Sequence, residues 1–164
     1  MPSEQNDVTV RAVCVLRGGE NNAIQGVIHF AQMIGINQMK VTGDLQGLPV
    51  DRKLTIQVNE YGDLSSGPQS TGNRFSPERK TSKDSVVYTN DNYGTLQINP
   101  EGQAKIDVVD KRLTLFGPSS IIGRSVIIID EKDDDSARAE TEENKASVST
   151  SSNRLAAGVI GICP

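Results

Sequence analysis

Apolar and polar residues alternate along several short stretches of the chain, which is the pattern of half-buried β-strands. In residues 54–60, Leu54, Ile56 and Val58 fall on one face and polar side chains on the other. No segment shows a sustained helical period, so the pattern predicts an all-β fold. The predicted strands are residues 8–16, 24–31, 40–46, 54–60, 93–98, 103–109, 125–129 and 155–162.

The connections between these strands indicate how they pair. Short turns join the first four strands, and short turns imply antiparallel neighbours, because parallel crossovers need about a dozen residues or more. Two long polar spans, about 62–85 and 130–153, interrupt the later part of the chain. Loops of that length are generally functional or tied down. We therefore predict one domain, residues 1–164, built as an antiparallel β-sandwich or barrel with two long loops.

The composition narrows the classes of partner. The chain has no Trp, three Tyr and three Phe, so its core must be built mainly from aliphatic side chains. Seventeen basic and twenty-one acidic residues give a net charge of −4, which argues against nucleic acid and anionic membranes as partners. No apolar run approaches the roughly 20 residues that cross a bilayer, so no membrane partner is expected.

The N-terminal residues and the cysteines together predict a cytoplasmic protein with reduced thiols. Residues 1–7 are polar and lack the apolar stretch of a secretory signal. Cys14 and Cys163 stand apart without the spacing of a zinc module. We expect Cys14 to be a small buried side chain and His29, the one histidine, to lie on a strand surface.

The candidate chemistry lies on the fourth predicted strand. Gln57 and Asn59 project from the same face beside a Tyr-Gly-Asp turn, a position where a β-sandwich can hold a metal. Both side chains are amides rather than imidazoles. Amide and carboxylate oxygens suit hard ions such as Ca²⁺ or Mg²⁺ and not copper.

Five segments together resemble the copper/zinc superoxide dismutase family. They are Ala-Val-Cys-Val-Leu at 12–16, Asn-Glu-Tyr-Gly-Asp at 59–63, Ile-Ile-Gly-Arg at 121–124, Asp-Glu-Lys at 130–132 and the closing run at 153–162. Order and spacing match over about residues 10–163. The resemblance implies an eight-stranded antiparallel Greek-key β-barrel, with a metal-binding loop after the fourth strand and an electrostatic loop before the last.

The resemblance also implies where the metal ligands of this family would fall. Two copper histidines fall on Gln57 and Asn59, a third on Asp130, and the histidine that bridges copper and zinc on Arg74. The remaining zinc positions are Thr81, Tyr88 and Asp91, of which Asp91 alone keeps the family's residue type. The family's disulfide cysteines correspond to the neighbourhood of Pro68 and to Ala157. We therefore expect no copper, no zinc and no other cofactor.

Arg74 provides a hypothesis for what replaced the metal. A guanidinium at the bridging position is expected to pair with Asp130, Asp91 or both, because a buried unpaired carboxylate is costly. The alternative is a hard ion held by oxygen atoms of Gln57, Asn59, Asp91 and Asp130. Without metal and disulfide, residues 71–87 and 133–152 are expected to be mobile unless polar networks replace those ties.

Arg154 aligns with the arginine that draws the superoxide anion to copper in the family. It is either a vestigial anion-guiding residue or an anchor for the preceding loop.

The family's dimer surface is also carried over by the resemblance. Its positions here are apolar or glycine, which predicts a homodimer or a heterodimer with a superoxide dismutase-fold subunit. Packing in the core is the alternative explanation for Val159 and Ile160. The predicted interface residues are Ile121, Ile122, Gly123, Val159, Gly161 and Ile162.

Three functions are compatible with these observations. The first is a superoxide dismutase-like protein that has lost its copper and zinc ligands, is catalytically inactive and acts through protein–protein binding or regulation. The alternative is a superoxide dismutase with residual or atypical metal-dependent activity. A relative of the copper chaperone for superoxide dismutase is disfavoured, because this chain shows neither the Cys-x-x-Cys domain nor the Cys-x-Cys tail of that family.

Overall fold

One antiparallel sheet of seven strands organises the protein. The computed structural model describes residues 8–76, 93–131 and 153–164. A short strand within the first long loop, β5, is an eighth element outside this sheet. The strands are β1 (Thr9–Gly18), β2 (Ile24–Met33), β3 (Met39–Gln46), β4 (Leu54–Asn59), β5 (Ser65–Pro68), β6 (Ala104–Asp110), β7 (Ser125–Asp130) and β8 (Arg154–Cys163).

The strand order in the sheet is β4-β7-β8-β1-β2-β3-β6. Strands β1, β2 and β3 follow one another as hairpins, whereas the β3–β4 and β6–β7 connections cross from one edge of the sheet to the other. Hairpins that alternate with connections crossing the sheet are Greek-key connectivity. The all-β antiparallel prediction is therefore confirmed.

The sheet curls around an aliphatic core, as the composition predicted. On β1, Ala12, Cys14 and Leu16 are completely buried and alternate with more exposed residues. Cys14 is the buried thiol expected from the sequence, and desolvation raises its pKa to about 12. The thiol therefore packs as a small apolar group rather than as a reactive one.

The predicted strand at residues 93–98 was too long. The segment makes an isolated bridge between Thr95 and Thr55, and its backbone pairs with β4 through Leu96 N to Leu54 O at 2.8 Å. Gly94 has a φ of 76°, so the backbone departs from the extended conformation near the start of the predicted strand. The segment still lies against β4 before the turn that leads into β6.

Helical structure is limited to short turns in the described residues. Two 3₁₀ turns of three residues each occur, Glu20–Asn22 and Gln69–Thr71. No helix in residues 8–76, 93–131 and 153–164 is long and apolar enough to cross a membrane.

Gly158 marks a close approach of β8 to β1. A Cβ atom placed on Gly158 would lie 2.3 Å from the carbonyl oxygen of Val15 and 2.7 Å from the Cys14 sulfur. Further along β8, a Cβ on Gly161 would lie 4.0 Å from its nearest neighbour, the Val13 carbonyl oxygen. Glycine is therefore required sterically at the first position and not at the second.

We expect Gly158→Ala to lower the free energy of unfolding by about 1–3 kcal/mol, because the added methyl group overlaps packed backbone. The matched control, Gly161→Ala, should change it by no more than about 0.5 kcal/mol. Urea denaturation followed by circular dichroism measures both variants. Equal effects of the two substitutions would contradict the packing seen at Gly158.

Candidate functional site

The C-terminal end of β4 is enclosed by the loop that follows the strand. Ile56 and Val58 face the core, so Gln57 and Asn59 face the opposite side of the sheet. The loop returns antiparallel to the strand end, with Phe75 N donating to Val58 O at 2.8 Å. Asn59 is completely buried as a result, and a buried amide needs hydrogen-bond partners.

Asn59 finds those partners within the chain. Its side-chain oxygen accepts a hydrogen bond from Gln57 Nε2 at 2.8 Å. Its Nδ2 donates to Thr71 Oγ1 at 3.1 Å and to the Gly72 carbonyl at 3.0 Å. Both amide N–H groups and the amide oxygen of Asn59 are thus engaged in the structure.

Thr71 connects this amide pair to Arg154. The buried Thr71 hydroxyl donates to the Pro68 carbonyl at 2.7 Å and accepts from both Asn59 and Arg154 Nη1, the latter at 3.1 Å. Arg154 Nη1 also donates to the Pro68 carbonyl at 3.0 Å. A hydroxyl has one donor and two acceptor positions, so Thr71 is saturated. We name Gln57, Asn59, Thr71 and Arg154, with the Pro68 and Gly72 carbonyls, the amide network.

Within the amide network, Arg154 anchors the loop after β4. Partial burial lowers the pKa of its guanidinium by desolvation, and hydrogen bonds from its Nη1 tie it to the Pro68 carbonyl and the Thr71 hydroxyl. These contacts are with the loop after β4 and not with the loop that precedes Arg154, so the anion-guiding interpretation and the anchoring of the preceding loop both stay predictions. The contacts also supply a polar tie at Thr71, the first residue of segment 71–87, which was expected to be mobile without such ties. Residues 77–87 of that segment lie outside the described residues, as does 133–152.

Asp130 does not join the amide network. Its strand partner on β4 is Leu54, whose side chain is completely buried in the core. The Asp130 carboxylate is 2% exposed and accepts a hydrogen bond from Arg52 Nη1 at 2.8 Å. The guanidinium that binds this buried carboxylate in the described chain is therefore that of Arg52, at the start of β4.

The other predicted metal positions are Arg74 and the three zinc positions. Arg74 is half-buried and pairs through its backbone with Asn59. Its proposed ion pair with Asp130 or Asp91 stays a prediction. The zinc positions Thr81, Tyr88 and Asp91 lie outside the described residues.

These side chains do not provide the donors that copper requires. In the parts of the chain that the structure describes, no three His, Cys, Asp or Glu residues come together as a metal-binding group. Gln57 and Asn59 offer amide groups that already bind each other and the loop. Copper that cycles between oxidation states is held by imidazole or sulfur ligands, and the donor set at β4 does not fit it.

Two of the predicted interface residues, Val159 and Ile162, lie on an apolar outer surface, whereas Ile121 does not. Ile162 is 72% exposed and Val159 is 41% exposed. Ile121 is completely buried in the core and supports the loop from beneath. The β1–β8 register places Val15 beside Val159, and Val15 lies opposite Val27 on β2. We name Val15, Val27 and Val159 the valine row.

Two structural roles could not be found from the sequence pattern. Arg124, in the Ile-Ile-Gly-Arg segment, donates Nη1 to the Glu60 carbonyl at 2.8 Å and stacks 3.7 Å above the Phe75 ring. It thereby joins the loop before β7 to the end of β4. Thr71 lies in an irregular polar stretch where no periodicity distinguishes a buried threonine from an exposed one.

We expect Thr71→Val to lower the free energy of unfolding by about 1–3 kcal/mol, because it removes one donor and two acceptor contacts inside a buried network. Thr55→Val is the matched control, because Thr55 is a half-buried threonine on the same face of β4 as Gln57 and Asn59. This substitution should lower the free energy of unfolding by less than about 0.5 kcal/mol. Thermal and urea unfolding measure both. Indistinguishable stabilities would show that the amide network does not hold the loop.

The chain is similar in sequence to copper/zinc superoxide dismutases. Residues 24–160 match the family model described as copper/zinc superoxide dismutase. Proteins named superoxide dismutase (Cu-Zn) from Schizosaccharomyces pombe and Cryptococcus neoformans are 36% and 35% identical over 156 residues, covering 93% of this chain and 98% of each relative. An extracellular superoxide dismutase (Cu-Zn) of Brugia pahangi is 32% identical, covering 94% of this chain and 77% of that protein.

Proposed function

The chain belongs to the copper/zinc superoxide dismutase family, and from this premise we propose that it is a metal-free member that acts by binding another protein subunit. On this proposal the chain has lost the family's copper and zinc ligands and does not catalyse dismutation. The observation that carries the proposal is the saturated amide of Asn59 at the end of β4.

The energetics of the amide network support this assignment. An ion entering beside Gln57 and Asn59 would have to displace hydrogen bonds among fully or partly buried groups. Each buried donor or acceptor left without a partner costs about 1–3 kcal/mol. Amide oxygens are also poor copper ligands, so the ion would not recover that cost.

The retained Arg154 is the observation that supports the alternative function, a superoxide dismutase with residual or atypical activity. In an active dismutase-like protein, this cation would attract the superoxide anion to a metal held by groups not yet identified. The relatives at 35–36% identity are themselves named superoxide dismutases. Residual or atypical metal-dependent activity is therefore the competing function.

Metal content and activity distinguish the two functions. We expect the purified chain, incubated with excess Cu²⁺ and Zn²⁺ and then desalted, to retain neither metal stoichiometrically and to show no superoxide dismutase activity above background. The dismutase of S. pombe, treated in parallel, is the positive control. One equivalent of bound copper together with activity would overturn the metal-free assignment.

The valine row supports a subunit interface on the outer face of β8, β1 and β2. Val159, Val15 and Val27 are 41%, 49% and 38% exposed on three neighbouring strands. They continue the predicted interface of Ile122, Gly123, Gly161 and Ile162, and adjoining apolar side chains in such a surface favour association. We propose that this surface forms a homodimer or pairs with an active subunit of the same fold.

We expect Val15→Asp to weaken dimerisation by about 2 kcal/mol or more, because it places a charge without a partner in an apolar interface. Val109→Asp is the matched control, since Val109 is 51% exposed on β6, away from the valine row. Sedimentation velocity over a range of concentrations measures both variants. A native chain that stays monomeric alone and when mixed with an active dismutase would refute the interface.

A cytoplasmic location is part of the same proposal. The free thiols of Cys14 and Cys163 support it, because cytoplasmic proteins keep their cysteines reduced. One relative is named as an extracellular enzyme, so the family itself is compatible with more than one compartment.

A further inference from the structure

We infer that the metal-binding geometry at β4 has been lost through strand position as well as through residue type. At the end of β7, Ile129 shares the face of Gln57 and Asn59, and Asp130 faces the other side of the sheet. This inference rests on the proposed metal-free function and goes further. It states that histidines placed at 57, 59 and 130 would not converge on one ion.

The pairing of β4 with β7 carries the argument. It is continuous, with Leu54 opposite Asp130, Thr55 opposite Ile129 and Asn59 opposite Ser125. Residues directly opposite each other in an antiparallel pair point to the same face, and successive residues alternate. Asp130 therefore shares the face of Leu54, while Ile129 shares the face of Thr55, Gln57 and Asn59.

Burial and charge agree with this register. Leu54 is completely buried in the core, and its partner Asp130 is 2% exposed and bound by Arg52. Ile129 is more accessible than the four β7 residues before it. The register shift of β7 lies between Ile128 and Ile129 on the side of β8, so it leaves the β4 pairing intact.

The spacing on the shared face would suit one ion. Ile129 is the diagonal neighbour of Gln57, and diagonal positions in an antiparallel pair are roughly 7–8 Å apart, within reach of two long side chains. Asn59 lies two residues further along the same face of β4. Histidines at 57, 59 and 129 would all project from this face, as a common ion requires, whereas a histidine at 130 would not.

Two triple variants test the inference against their common parent, Gln57→His with Asn59→His. The facing set adds Ile129→His, and the opposed set adds Asp130→His. Circular dichroism and thermal unfolding establish that each variant is folded. Competition with a chelator gives the Cu²⁺ affinity, and electron paramagnetic resonance counts the nitrogen ligands on Cu²⁺.

We expect the facing set to bind Cu²⁺ about tenfold or more tightly than the parent, with one additional nitrogen ligand. The opposed set should bind no tighter than the parent. A facing set that gains neither affinity nor a nitrogen ligand would overturn the inference, even where loss of the Asp130 carboxylate prevents the opposed set from folding. An opposed set that outperforms the facing set would overturn it as well.

Copper binding by the unmodified chain is measured in the same assay. Tight binding there would refute the metal-free function and leave the comparison of the two triple variants to decide the register on its own. Failure of the proposed function and failure of the inference are thus separate results.

Discussion

A completely buried side-chain amide must have hydrogen-bond partners, and this requirement at Asn59 organises one end of the barrel. The loop after β4 is held where its Thr71 hydroxyl and Gly72 carbonyl can accept from that amide. Arg154, at the start of β8, binds the same hydroxyl. Three elements distant in sequence therefore meet at one polar cluster, and removing any member would leave the others buried and unsatisfied.

The strands were predictable because each has one face packed in the core. Alternation, or for β7 a continuous apolar run, located the seven strands of the sheet to within a few residues. Short turns correctly indicated the β1–β2 and β2–β3 hairpins, but β4 pairs with β7 and not with β3, because the β3–β4 connection crosses the sheet. The buried Cys14 followed from its place in the alternation of β1. The exception, residues 93–98, has the same apolar pattern. The hydrophobic pattern alone does not reveal the positive φ that Gly94 adopts in this segment.

The candidate site was less predictable, since it depends on pairing between distant residues. The sequence places Gln57 and Asn59 on one face correctly, because that follows from local alternation. The side of the sheet that Asp130 faces depends on which residue of β4 lies opposite it, and a shift of one residue reverses the answer. Thr71 and Arg52 belong to irregular segments, where no period indicates burial or a partner.

The ties made by Thr71 and Arg154 have a consequence for how the protein matures. A loop held by a metal or a disulfide is completed only after an ion has been delivered or two thiols have been oxidised. The hydrogen bonds from Asn59 and Arg154 to residues 68–72 form from the chain's own groups as it folds. These hydrogen bonds form without an ion and without oxidation of a thiol. A chelator or a reductant therefore does not act on them directly.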